Sequence, residues 1–174
     1  MRVGALRDKP PAMDLRAHLL AILDRAYDVS SWHGPNLKRS LRGVSPAAAF
    51  FRPGPKRHSI YDLVLHAAYW KYMVRRRLTG EKRRPFALQG SNFFPAPQRY
   101  TAKEVAAAKL LLEREHRDLR AVVEELPEAA FESRLGRRTA EATIAGVAAH
   151  DLYHAGQIQL LKKLYAERRR TGWG

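Results

Sequence analysis

Near its C-terminus the chain reads Ala148-Ala149-His150-Asp151-Leu152-Tyr153-His154-Ala155-Gly156-Gln157-Ile158. At 3.6 residues per turn His150 and His154 lie one above the other, about 40° apart, within a stripe completed by Val147, Ile158, Leu161 and Tyr165. An apolar stripe of this kind faces the interior, where an unpaired polar ring costs on the order of 1–3 kcal/mol. Two imidazoles set into it therefore need partners. Histidines at i and i+4 present two ring nitrogens to one point beside the helix, which suits a divalent metal. The competing reading is a pair of core histidines satisfied by side chains or backbone carbonyls. A third ligand elsewhere in the chain separates the two.

At 174 residues the chain fits one domain with a substantial core: an irregular basic arm over 1–11, followed by a single domain over 12–170. No stretch approaches the roughly 18 uninterrupted apolar residues of a membrane span, and the N-terminus lacks a secretory pattern. A soluble, cytoplasmic protein with no membrane partner is expected. Cysteine is absent, so any metal is held by nitrogen and oxygen and any sulfur nucleophile comes from outside.

Four segments carry helical periodicity. The first runs from Met13 to Ala26 with Leu15, Leu19, Ile22 and Leu23 on one face, and ends at the breakers around Trp32-His33-Gly34-Pro35. Two short helical pieces follow, over 36–42 and after Ser45-Pro46. The second long helix starts at Ser59, with Asp62 completing a short-armed capping box, and closes near Gly80. Ile60, Leu63, Ala67, Trp70 and Val74 form its apolar stripe. The third runs from the Thr101/Glu104 capping box to about Glu125, and the fourth from Thr139 to about Arg168.

Residues 80–100 join the second helix to the third, a long connection for a compact domain. A crossover that returns the chain along the bundle, pinned by Phe86, Phe93, Phe94 and Tyr100, accounts for it. With no convincing run of alternating strand residues, the expected architecture is all-α, a four-helix bundle.

His66 lies between Leu63 and Trp70 on the apolar side of the second helix. Two facing helices then contribute one and two imidazoles to a common interior point, as bundle metal sites do. At this point the sequence resembles the DinB/YfiT-like family of four-helix-bundle metalloproteins, within the DinB-like thiol S-transferase superfamily. The resemblance rests on His58-Ser59-Ile60-Tyr61-Asp62-Leu63-Val64-Leu65-His66-Ala67-Ala68-Tyr69-Trp70 and His150-Asp151-Leu152-Tyr153-His154-Ala155-Gly156-Gln157-Ile158, with helix spacing that covers nearly the whole chain. It implies an up-down-down-up bundle and a divalent ion held by His66, His150 and His154. It further implies relatives that use low-molecular-weight thiols such as bacillithiol or mycothiol. Zinc is the default for three histidines, then nickel, with iron or manganese as further candidates.

The remaining polar residues have ordinary readings beside functional ones. His116, set among Glu113, Glu115, Arg117 and Asp118, reads as a boundary residue with local polar partners. His18 reads as helix surface, and His58 as decoration of a helix start. His33 sits in a turn with a packed Trp32, or near the open side of the metal. Asp62 and Gln157 serve as capping and packing residues, or orient a ring nitrogen. Asp151 points about 100° from His150 and is not counted as a ligand. Gly146 and Gly156 each cost roughly 1 kcal/mol in a helix, which close approach of another helix would justify, within the bundle or across a homodimer interface.

The leading functional reading is a metal-dependent enzyme, a thiol S-transferase or hydrolase acting on a small-molecule substrate, with a low-molecular-weight thiol or water activated in an open three-histidine site. A formal charge of +15 raises a second, a nucleic-acid or polyanion binding module built on Arg75-Arg76-Arg77, Lys82-Arg83-Arg84, Arg137-Arg138 and Arg168-Arg169-Arg170. The first and last of these clusters lie at helix C-termini, where cations are favoured without any partner. A third is a non-catalytic metal-binding protein.

Overall fold

The computed structural model describes residues 14–30, 32–82 and 85–172. The basic arm over 1–11, the first helical residue expected at Met13, and Arg83 and Arg84 lie outside them. The described chain is all-α apart from one two-residue hairpin. Its elements are α1 (Leu15–Tyr27), α2 (Leu37–Ser40), α3 (Pro46–Phe50), α4 (Ile60–Thr79), α5 (Ala102–Glu125), a 3₁₀ turn (Glu128–Glu132), β1 (Arg134–Leu135), β2 (Arg138–Thr139) and α6 (Ala140–Thr171).

Each long helix starts where a side chain takes up an orphaned backbone N–H. Asp14 caps α1 and Thr139 caps α6. Ser59 and Asp62 form the complete box at α4, whereas at Thr101 only the forward bond to the Glu104 N–H forms. Gly80 ends α4 in the left-handed conformation, at φ 68°.

α4 and α5 are packing neighbours, as are α4 and α6, α1 and α6, and α1 and α5. Along α4 and α5 the facing residues advance together, Tyr61 beside Glu104 and Arg75 beside Glu115. The chain between them must therefore travel back the length of the bundle. Residues 80–82 and 85–101 are irregular and held by aromatics: Phe86 and Phe94 pack on Tyr69, and Tyr100 stacks on Phe50.

The first half of α4 is buried on every side from Ile60 to Ala68, more than one stripe requires. Its outer face lies in one apolar cluster with Leu37 and Leu41, against which Val44, Phe50, Phe86 and Phe94 pack. A second apolar cluster, with Leu19, Leu23, Val74, Leu119, Phe131, Ile144 and Val147, fills the other end of the bundle.

Between the two clusters every long helix contributes a polar or charged residue. Lys71 of α4 and Asp151 of α6, both fully buried, form an ion pair beneath the Tyr27 ring of α1. Arg75 bonds Glu81 at 2.8 Å and approaches Glu115 at 3.8 Å. His116 is buried and stacks on Tyr27 with ring centroids 3.8 Å apart, so it is a core residue rather than a boundary one. Between α5 and α6 the chain holds the 3₁₀ turn and the small hairpin, and Phe131 anchors it in the core.

Candidate metal centre

His66 points from α4 toward α6, where His150 and His154 stand one turn apart. His66 Nε2 lies 3.0 Å from His150 Nε2, and His154 Nε2 lies 2.9 Å from the same atom. Among the described residues, these three histidines offer ligand atoms that all lie within 4.8 Å of one another. Nitrogens bound tetrahedrally at about 2.0–2.1 Å from a metal stand about 3.3–3.4 Å apart, a few tenths of an ångström wider than seen here.

Hydrogen bonds at the far side of two rings decide what the near side offers. His66 Nδ1 donates to the Asn92 carbonyl at 3.0 Å, and His154 Nδ1 donates to Gln157 Oε1 at 2.7 Å. Each Nδ1 therefore carries the proton, and each Nε2 turns a lone pair to the centre. His150 Nδ1 is buried without a partner. Without a cation, one N–H on His150 Nε2 would have to serve both neighbours. A cation at the centre satisfies all three nitrogens at once, so the donor set fits a divalent ion.

Burial reinforces the neutral state. Desolvation lowers the His150 imidazole to about 3, helped by the neighbouring His154 and His66. His154 is lowered to about 4 by burial, against the opposing pull of the Gln157 bond. His66 is shifted down by burial as well. All three rings are free of a competing proton at neutral pH.

The centre lies at the meeting of two cavities. One, of about 960 Å³, is bordered by His66, His150 and the β1–β2 hairpin. The other, of about 650 Å³, touches all three histidines and is bordered by Phe93, Tyr153 and Leu160. The two provide separate approaches to the triad.

The other singled-out residues divide plainly. Gln157 bonds a ring nitrogen of the triad. Asp62 does not: its carboxylate caps Ser59 at 2.7 Å and pairs with Arg52 at 2.8 Å. His33 is exposed and borders neither cavity, and Trp32, expected to pack, is 98% exposed. His18 lies on the surface. His58 does more than decorate a helix start, because it stacks on Phe93 at 3.7 Å, and Phe93 in turn stacks on His66 at 4.3 Å. A Cβ added at Gly146 or Gly156 meets nothing within 4 Å, so close helix approach within the bundle does not explain either glycine.

Three further residues border the site: Asn92, which the sequence does not mark, and Phe93 and Trp70, which it marks only as packing residues. Asn92 clamps the centre twice, its carbonyl on His66 and its Oδ1 accepting from Trp70 Nε1 at 3.0 Å. It holds φ 63°, a left-handed conformation that asparagine tolerates better than most residues. Phe93 and Trp70 complete the wall around His66, one stacked face to face and the other edge-on at 6.3 Å. The pattern Ser91-Asn92-Phe93-Phe94 was the available signal, but nothing local says that this turn closes over another helix.

Among known proteins, the model of one family, the DinB superfamily, matches residues 31–158, a span that includes all three histidines. No curated protein and no solved structure gives a significant match.

Proposed function

Because the chain belongs to the DinB superfamily, we propose that it is a divalent-metal protein in which His66, His150 and His154 hold the ion through Nε2 and leave one side open to a small-molecule substrate. The observation that carries this reading is the convergence of three Nε2 atoms, two of them fixed as lone-pair donors by hydrogen bonds on the opposite nitrogen. A bound divalent ion supplies Lewis acidity, lowering the pKa of water or a thiol that it holds.

The protein's own groups do the rest. Asn92 and Gln157 keep the protons on Nδ1 and aim the rings. Phe93 and Trp70 pack against the His66 ring, one on its face and one on its edge, and hold its orientation. With no cysteine in the chain, a sulfur nucleophile arrives as a low-molecular-weight thiol, and the reaction class is thiol S-transfer, or hydrolysis if water takes its place. Zinc suits three imidazoles best and nickel next; iron and manganese are the further candidates.

The polyanion reading draws less from the basic clusters than their sequence suggests. Arg75 is engaged by Glu81 and Glu115, and Arg76 bonds the Glu81 carbonyl and the Tyr72 hydroxyl. Protein purified without added metal is expected to carry about one divalent ion per chain by elemental analysis, and His154→Ala to lose it while keeping the helical circular-dichroism spectrum. Assay of the metal-bound protein with a panel of low-molecular-weight thiols plus an electrophile, and with hydrolytic substrates, is expected to give turnover. Bound metal without turnover in either assay would retire the enzymatic part and leave a metal-binding protein.

A further inference from the structure

The cavity that runs from His66 and His150 to the β1–β2 hairpin has a marked chemical polarity. Its walls near the histidines are apolar, formed by Trp70, Val74 and Val147. Arg77, Arg137 and Arg138 also line it, and no Asp or Glu does. Arginines elsewhere find carboxylates within the chain: Arg16 pairs with Glu128, Arg52 with Asp62 and Arg120 with Asp24. Among the described residues, Arg77, Arg137 and Arg138 form no such pair, and Arg77 only leans on the Trp70 ring at 5.9 Å.

Gly146 gives an independent indication. A glycine in the body of α6 costs about 1 kcal/mol against alanine, yet apart from its own turns of helix no described atom lies within 4 Å of the Cβ it lacks. Nothing in the fold needs that space. Gly146 borders this cavity, so a larger side chain there would take up part of it.

We propose that this cavity binds a small organic anion, a carboxylate or phosphate ester with an apolar body, whose charged end pairs with Arg77, Arg137 and Arg138 while the body lies on Trp70 and Val147 with its far end toward the histidine centre. Guanidinium forks bind carboxylate and phosphate oxygens in pairs, and the unpaired arginines are free to do so. The proposal rests on the metal-centre reading only for the orientation of that far end.

The test follows the Trp70 indole resonance by nitrogen-proton correlation spectroscopy at fixed ionic strength, in metal-free and metal-loaded protein. The probes are phenylacetate, phenyl phosphate and the neutral phenylacetamide. Both anions are expected to bind about ten-fold or more tightly than the amide, metal or no metal. Arg137→Gln/Arg138→Gln, on an exposed hairpin, is expected to weaken the anions about ten-fold while leaving the amide and the metal content unchanged. Gly146→Leu is expected to abolish binding of all three probes, and Lys56→Gln/Arg57→Gln, in the other cavity, to leave it intact.

Equal binding of anions and amide, no effect of the hairpin substitutions, or loss caused instead by the Lys56 and Arg57 substitutions would overturn the assignment. Anion binding that needs the metal and ignores the arginines would do the same. If no metal binds but arginine-dependent anion binding persists, the metal-centre reading fails and this one stands.

Discussion

His154 holds its ring through one hydrogen bond, from Nδ1 to Gln157 one turn further along α6. Gln157→Ala removes that acceptor without disturbing the core, since the residue is only half-buried. Metal affinity, read by competition with a chromophoric chelator, is expected to fall about 10–100-fold, the usual effect of losing such a partner. His116 makes a separate prediction about pH. Burial lowers its pKa from 6.5 to about 2, so on acidification the unfolded chain takes up a proton that the folded one refuses. Stability is therefore lost as pH falls from about 6.5 toward 2. His116→Phe keeps a ring against Tyr27 and removes this proton, so the urea midpoint of the metal-free variant is expected to drop less between about pH 7 and pH 4 than that of the wild type. His150 and His154 still contribute a fall of the same sign. The histidines of the triad were legible because their spacing is written into single helices. Asn92 and the burial of His116 were not, because each depends on what a distant segment lays against it.

Between elements, the buried Lys71–Asp151 pair joins α4 to α6 beside His150, which faces His66 across the same two helices. Lys71→Met leaves a carboxylate buried without its partner and is expected to cost about 3–5 kcal/mol in urea unfolding, whereas Lys71→Met/Asp151→Leu is expected to regain most of that loss. If the double variant is as unstable as the single one, the pair is not the source of the cost. Helical periodicity shows why such pairs stay hidden: a charged residue on an otherwise apolar helix reads as solvent-facing until a facing helix supplies the opposite charge. The long helices themselves were legible from stripe, cap and breaker, as at Ser59 and Gly80. The aromatic strap over 86–100 was legible as a connection with anchors, but its closure over the triad was not.

For the whole molecule the formal charge of +15 divides into parts with different roles. Arg75 is structural, the cations of the last turn of α6 face its dipole, and Arg77, Arg137 and Arg138 line the cavity beside the triad. Duplex DNA is expected not to bind at micromolar protein; micromolar binding that falls steeply as salt rises from about 50 to 200 mM would restore the polyanion reading. A metal function for this protein requires the three rings to share one ion. Crystals of the protein purified without added metal, measured above and below the absorption edge of the metal found, test this most directly. The expected result is one anomalous peak within about 2.0–2.3 Å of Nε2 of His66, His150 and His154. A peak elsewhere, or none at the triad after soaking with zinc or nickel, would contradict it.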